Sequence, residues 1–208
     1  MKAVATFLMC VVFGVKVLGG VENFDSVKPG DLPNGWVGGI TGAGKADWQV
    51  VVDATAPSAP NALKQSGTAK FCWCVNTNLA VKNGRVQVRF KPLAGAEDEA
   101  GGLIWRFQDG DNYYIARANA LEDNVTIYKT VGGVRKEYGR TSMKVEPRQW
   151  HTLRVEFNGP HFTVSCDGEF ALAWDDDTFT NAGAVGVWTK ADSVTEFDDF
   201  RWEDDGSR

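Results

Sequence analysis

Beyond Gly20 the sequence has no hydrophobic run long enough to cross a bilayer, which excludes a membrane span in the body of the chain. It also lacks any stretch with the 3.6-residue apolar period of an amphipathic helix, so an α-class fold is excluded. No internal repeat recurs at blade period, which argues against a propeller. Lys and Arg cluster in no window, and a nucleic-acid binder needs a basic face. Histidine is limited to His151 and His161, with no Gly-x-Ser-x-Gly turn beside them, so a nucleophilic triad is not available. Cysteine is scarce. After the first twenty residues only Cys72, Cys74 and Cys166 remain, in a spacing that matches no zinc site. Cys72 and Cys74 share one face of an apparent strand, so either a bond from one of them to Cys166 or three buried thiols fits the pattern.

What is present begins with a leader. Lys2, the apolar run Ala3 to Val15, and Val17-Leu18-Gly19 give residues 1–20 the order of a secretory signal peptide. Removing Lys2 and Lys16 leaves 20 basic against 27 acidic residues, a formal charge of −7. Residues 21–203 suit one domain, followed by an acidic tail over 204–208. The acids of Glu97 to Glu99 and Asp175 to Asp177 are expected in solvated loops.

The body is rich in short alternating runs. In residues 101–131, Leu103, Trp105 and Phe107 are apolar at every second position, and Asp109-Gly110-Asp111 supplies a turn. Tyr113 to Asn119 returns, and Val125 to Lys129 alternates again. Arg85 to Phe90 alternates strictly, while Gly132-Gly133, Asn158-Gly159 and Asp167-Gly168 are two-residue hairpin signals. Residues 21–40 read as an opening strand and then a turn-rich loop. About a dozen strands at this spacing predict an all-β, two-sheet jelly-roll sandwich.

Across residues 101–129 the polar positions hold planar and hydrogen-bonding groups that suit sugar hydroxyls: Arg106, Arg117, Asn119, Glu122, Asn124 and Tyr128, with Tyr113 and Tyr114 as candidate stacking rings. Glu122 can serve as a general acid or base if it is buried beside the arginines. Alternation shows which residues share a face but not which face is concave, so a charged outer face with Arg117 paired to Glu122 across a turn is equally compatible. Trp105, Trp150 and Trp188 read as core, and Trp36 and Trp73 as freer to meet a ligand. Asp25, Asp198 and Asp199, from the first and last strands, form a candidate oxygen-rich Ca²⁺ set.

The stretches FDSVKPGDLPNGW (24–36), GGLIWRFQDGDNYYIARANALEDNVTIYK (101–129), WHTLRVEFNG (150–159) and VGVWTKADSVTEFDDF (185–200) resemble the concanavalin A-like lectin/glucanase superfamily. Within it they look most like the 3-keto-disaccharide hydrolase family of secreted bacterial proteins. The resemblance implies a jelly roll whose concave face handles carbohydrate, a secreted or periplasmic location, and cleavage of 3-keto-glycosides. The acids of 196–199 are similar to the catalytic strand of family 16 glycoside hydrolases, but Arg201 stands where a second glutamate is needed. The expectation is a monomeric, exported saccharide-binding protein with Glu122 or a histidine as base and Arg117 steadying the developing negative charge. A lectin-like module without catalysis and a structural surface protein are the alternatives.

Overall fold

The computed structural model describes residues 18–206 of the 208. Fifteen strands and no helix occur among them, so no helix there is long and apolar enough to cross a membrane. In chain order they are β1 (Leu18–Glu22), β2 (Trp36–Lys45), β3 (Trp48–Val52), β4 (Asn61–Gln65) and β5 (Thr68–Val81). Next come β6 (Gly84–Ala94), β7 (Ala100–Asp109), β8 (Asn112–Asn119), β9 (Asn124–Val131) and β10 (Val134–Ser142). The last five are β11 (His151–Asn158), β12 (His161–Cys166), β13 (Glu169–Asp175), β14 (Gly183–Ala191) and β15 (Val194–Asp204).

They form two antiparallel sheets. One runs β13-β12-β11-β6-β15-β4-β3, with β1 also on β15; the other runs β10-β9-β8-β7-β14-β5-β2. Alternation drives the assembly. Val86, Val88 and Phe90 are fully buried while Arg85, Gln87 and Arg89 between them are not, so β6 gives one face to the core. Trp105, Tyr114, Phe157 and Phe162 fill the space between the sheets, with ring centroids 4.9–6.3 Å apart where they touch. The hairpin signals act as their chemistry requires: Gly132, Gly133, Asp167 and Gly168 all take positive φ at β9–β10 and β12–β13.

Several expectations need correction. The turn-rich reading of 21–40 missed β2, because glycines normally weaken a strand. Here they make room: a Cβ on Gly38 would lie 2.8 Å from the Trp48 ring, and one on Gly39 2.3 Å from that of Trp73. Leu18, Gly19 and Gly20, placed in the leader, pair with Asp204, Glu203 and Trp202, so the strand pair also takes in the first residue of the expected tail. The rest of the leader lies outside the described residues. Cys72, Cys74 and Cys166 are buried free thiols, with burial pushing Cys72 up to about 11 and Cys166 to about 12.

Asp176, expected in a solvated turn, is instead 11% exposed and accepts from Tyr114 Oη (2.5 Å), Lys129 Nζ (2.6 Å) and Thr178 N (2.8 Å). Burial pulls its carboxyl upward, but these donors outweigh it and hold it below the ordinary aspartate range. A depressed native value means that the unfolded chain binds the proton more readily, so the carboxylate's contribution is present above the unfolded pKa and is lost as pH falls through the native one. Asp176→Asn is therefore expected to cost about 1.5–3 kcal/mol at neutral pH. The deficit should shrink as the solution is acidified below roughly pH 4. Urea midpoints of both proteins at pH 7 and pH 3 check this, and a deficit that persists unchanged at pH 3 contradicts it.

Candidate site on the curved face of the seven-stranded sheet

Register decides which side chains share a face. Ile115 pairs with Ile104 and Tyr128, Arg117 with Gly102 and Thr126, Asn119 with Asn124, and Trp188 with Gly102 and Trp73. Their neighbours Leu103, Trp105, Ala116, Val125 and Val187 fill the inter-sheet core, so this set lies on the opposite, outer face. That face is concave. From β10 to β5 is five strand spacings, roughly 24 Å in a flat sheet, yet the Arg135 guanidinium of β10 sits 4.5 Å over the Phe71 ring of β5. Thr41 of β2 likewise reaches Tyr113 of β8, with 2.7 Å between their hydroxyl oxygens. Only a sheet curled into a trough brings these strands together.

The trough floor is aromatic. Phe71, Ile104, Tyr113, Ile115, Tyr128 and Trp188 form a second buried cluster, with Trp73 and Phe107 half-buried beside it. Polar groups gather at one end. Arg117 Nη1 reaches Asp98 Oδ2 at 3.3 Å, while Nη2 donates to Glu122 Oε2 at 2.6 Å and Asn124 Oδ1 at 3.0 Å. Asp98 also accepts from Asn119 Nδ2 (2.8 Å) and from Lys190 Nζ (2.5 Å). Its complete burial pushes the carboxyl upward against the pull of Arg117 and Lys190. Glu122 is more open at 38% side-chain exposure; burial would raise it, but Asn124, Arg117 and Arg140 hold it below the ordinary range, ionised at neutral pH.

Some hydrogen-bonding capacity in the trough is unspent. Arg117 Nε, Arg135 Nη1 and Trp73 Nε1 are buried without a hydrogen bond. Thr130 Oγ1 and Trp188 Nε1 lean toward the Tyr113 hydroxyl without a bond of ordinary geometry. A concave aromatic floor with a few convergent donors is the usual make-up of a small-ligand site, and sugar rings stack on such floors while their hydroxyls take up the donors.

Of the residues singled out in the sequence, Arg117, Asn119, Glu122, Asn124 and Tyr128 come together here, with the Arg117 guanidinium 5.6 Å over the Tyr128 ring. Arg106 does not. A bulge in β7 gives it φ 48° and turns it to the core side, beside the Phe157 and Phe162 rings. There it donates to the carbonyls of Lys82, Phe179 and Gly159 and to Asn83 Oδ1, which uses its fork for holding loops. Tyr114 is likewise corrected: it stacks on Trp105 inside the sandwich. Trp36, expected to be free for ligand, is buried against Phe24 and Phe200, whereas Trp188 leaves the core for the trough.

The calcium set is not assembled either. Asp25 accepts from Asn23 and Asn61, buried Asp198 from Ser58 and the Asp199 amide, and Asp199 from Arg201. Among the described residues no three acidic, histidine or cysteine side chains are grouped to hold a metal ion. Asp98, Lys190 and Arg135 were missed. Asp98 was hidden in an acidic run read as a loop, and Arg135 in a short return strand whose register with Thr130 was the available signal.

A family model described as 3-keto-alpha-glucoside-1,2-lyase-like domain matches residues 22–203. Among solved structures, the carbohydrate-binding module CBM66 from Bacillus subtilis superposes with TM-score 0.66 at 16% identity, covering 80% of this chain and 94% of that one. The Bacillus licheniformis beta-glucanase does so with TM-score 0.61 at 12% identity, covering 91% and 98%. A Bacillus subtilis protein of unknown function with a galectin-like fold gives TM-score 0.60 at 11% identity, covering 88% and 97%. At these identities the likeness is one of fold: a jelly-roll sandwich of the lectin/glucanase type. No curated protein matches the chain in sequence.

Proposed function

The chain belongs to the 3-keto-alpha-glucoside-1,2-lyase-like family, and from that premise we propose that the trough binds a saccharide and cleaves a 3-keto-glycoside by elimination. One observation carries the reading. An ionised carboxylate, Glu122, and a buried guanidinium with its Nε unspent, Arg117, stand side by side at the end of an aromatic trough.

The chemistry asks for that pair. An oxidised C3 acidifies the proton on C2, and Glu122 takes it as general base. The charge that gathers on the C3 oxygen is met by Arg117, whose other nitrogens are already fixed by Asp98, Glu122 and Asn124, so that it needs no reorganisation. As the C3 carbonyl re-forms, a C1–C2 double bond forms and the C1–O bond breaks, and the departing oxygen takes up a proton. The half-buried Trp73 and Phe107 supply ring surface for stacking, with Tyr128 and Trp188 packed beneath the Arg135 guanidinium, and Asn119 and Asn124 hold the polar end in place. Export through a leader that ends before β1 goes with this role.

A second reading has its own support. The same contacts with Asn124, Arg117 and Arg140 that keep Glu122 ionised also weaken it as a base, which suits a trough that binds saccharide without cleaving it. Glycan-array binding run alongside turnover of 3-keto-trehalose separates the two. Binding with turnover is the expected result. Binding alone leaves the non-catalytic module, and neither binding nor turnover overturns both readings.

A further inference from the structure

The charges of the trough do not balance. Arg117 is paired with Asp98 and Glu122, Lys190 with Asp98, and Arg140 with Glu137 and, at 3.8 Å, Glu122. The guanidinium of Arg135, on the same face and next to them, has no ion pair and no hydrogen bond among the described residues. Counting Arg117, Arg135 and Lys190 against Asp98 and Glu122 leaves one positive charge over, and Arg135 is the residue without a counter-ion.

Its surroundings sharpen the point. The guanidinium lies 4.2 Å over the Tyr128 ring, 4.5 Å over Phe71 and 5.5 Å over Trp188. Rings on the floor offset part of the cost of desolvating a cation, but they do not replace an anion. They also fix the plane of the fork, which makes the guanidinium a rigid donor rather than a flexible point charge. A lysine would fill the same space with a more strongly hydrated charge, and a neutral side chain would avoid the cost. A planar guanidinium held rigid and unpaired is matched by a planar carboxylate, which accepts two parallel hydrogen bonds from it.

We propose that the trough takes neutral saccharides but prefers an acidic one, a uronate whose carboxylate seats on Arg135. This rests on the reading of the trough as a saccharide site. It adds to that reading a substrate class, and with it a division of labour: Arg117 faces the reacting carbons while Arg135 selects the sugar.

The test is a glycan array of uronate saccharides printed beside their carboxyl-reduced counterparts and 6-sulfated analogues. It is read with the full chain and with Arg135→Gln and Arg135→Lys. The expected result is binding concentrated on the uronates, about 10-fold or more tighter than to the reduced forms and weakening as salt is raised. In Arg135→Gln that preference should fall to within roughly 2-fold, while Arg135→Lys, which keeps the charge, retains part of it. Equal binding of acidic and reduced forms overturns the inference, as does a uronate preference that survives in Arg135→Gln. Stronger binding of the sulfated analogues overturns the choice of a carboxylate. Binding to neutral saccharides alone removes the acidic class but leaves the trough as a saccharide site, and binding to nothing removes that reading too. Arg135→Lys keeps the guanidinium's place over the rings filled, so it remains informative if Arg135→Gln fails to fold.

Discussion

Glu122→Gln is expected to lower the turnover of 3-keto-trehalose by about 10²–10⁴-fold, the usual weight of a general base. The substitution is nearly isosteric, and its amide oxygen can still accept from Arg117 Nη2, so the end of the trough keeps its shape. It loses only the capacity to take a proton. With 38% of the Glu122 side chain exposed, the ion pair to Arg117 is screened, and the urea midpoint should move little. Saccharide affinity should stay within about 3-fold, because binding in the ground state does not depend on proton transfer. Glu122 also predicts the pH profile of the native protein. Its carboxyl is held below the ordinary glutamate range by Asn124, Arg117 and Arg140 against the upward pull of burial, so the acid limb of kcat/KM should lie below that range. Steady-state rates of both proteins check the assignment: a variant that keeps full activity sinks it, whatever its affinity.

Trp105→Ala should be the most damaging single change to the fold, costing about 3–5 kcal/mol. The indole is fully buried and meets Tyr114, Phe157 and Phe162, rings contributed by both sheets. Truncation at this point removes the contact through which one sheet rests on the other, and strands on either side cannot close the gap without breaking their ladders. For a domain of this size the loss corresponds to a melting point lower by roughly 10 °C. Trp105→Phe is expected to be far milder, below about 1.5 kcal/mol. The Trp105 Nε1 is buried without a hydrogen bond, so phenylalanine removes an unsatisfied donor along with part of the ring. Equilibrium urea unfolding of the pair decides it, and equal losses from Ala and Phe would contradict the account.

Much of the architecture was legible because alternation and turn chemistry are local. Val86, Val88 and Phe90 declare a strand by themselves, and Gly132-Gly133 or Asp167-Gly168 declares the hairpin that follows. β2 was missed for a non-local reason: its glycines make sense only once the indoles of Trp48 and Trp73 are seen to occupy the space where side chains would stand. The site divides in the same way. Arg117, Asn119, Glu122 and Asn124 lie within one hairpin, so spacing alone placed them together. Arg106 defeated the alternation rule because at the β7 bulge four steps, Trp105 to Asp109, face two on β8, Tyr114 to Asn112, which carries its side chain to the core. Arg135, Lys190 and Asp98 come from three other segments, and only the curl of the sheet brings them to the same trough. No period in the sequence encodes that curl.

The order of strands in the two sheets also bears on how the molecule is made. β14 lies between β7 and β5, and β15 between β6 and β4, so the centre of both sheets is supplied by the C-terminal part of the chain. A nascent chain that has reached residue 182 holds β13-β12-β11-β6, β10-β9-β8-β7, β5-β2 and β4-β3 as separate pieces, and each sheet becomes continuous only when the β14–β15 pair arrives. Such a topology is dominated by contacts between distant residues, which places its folding in the slow, millisecond-to-second class. It also leaves Leu18–Glu22 lying against Phe200–Asp204. Linking β15 directly to β1 and opening the chain at the β9–β10 hairpin would give a permuted protein in which β14 and β15 are made before the strands they separate.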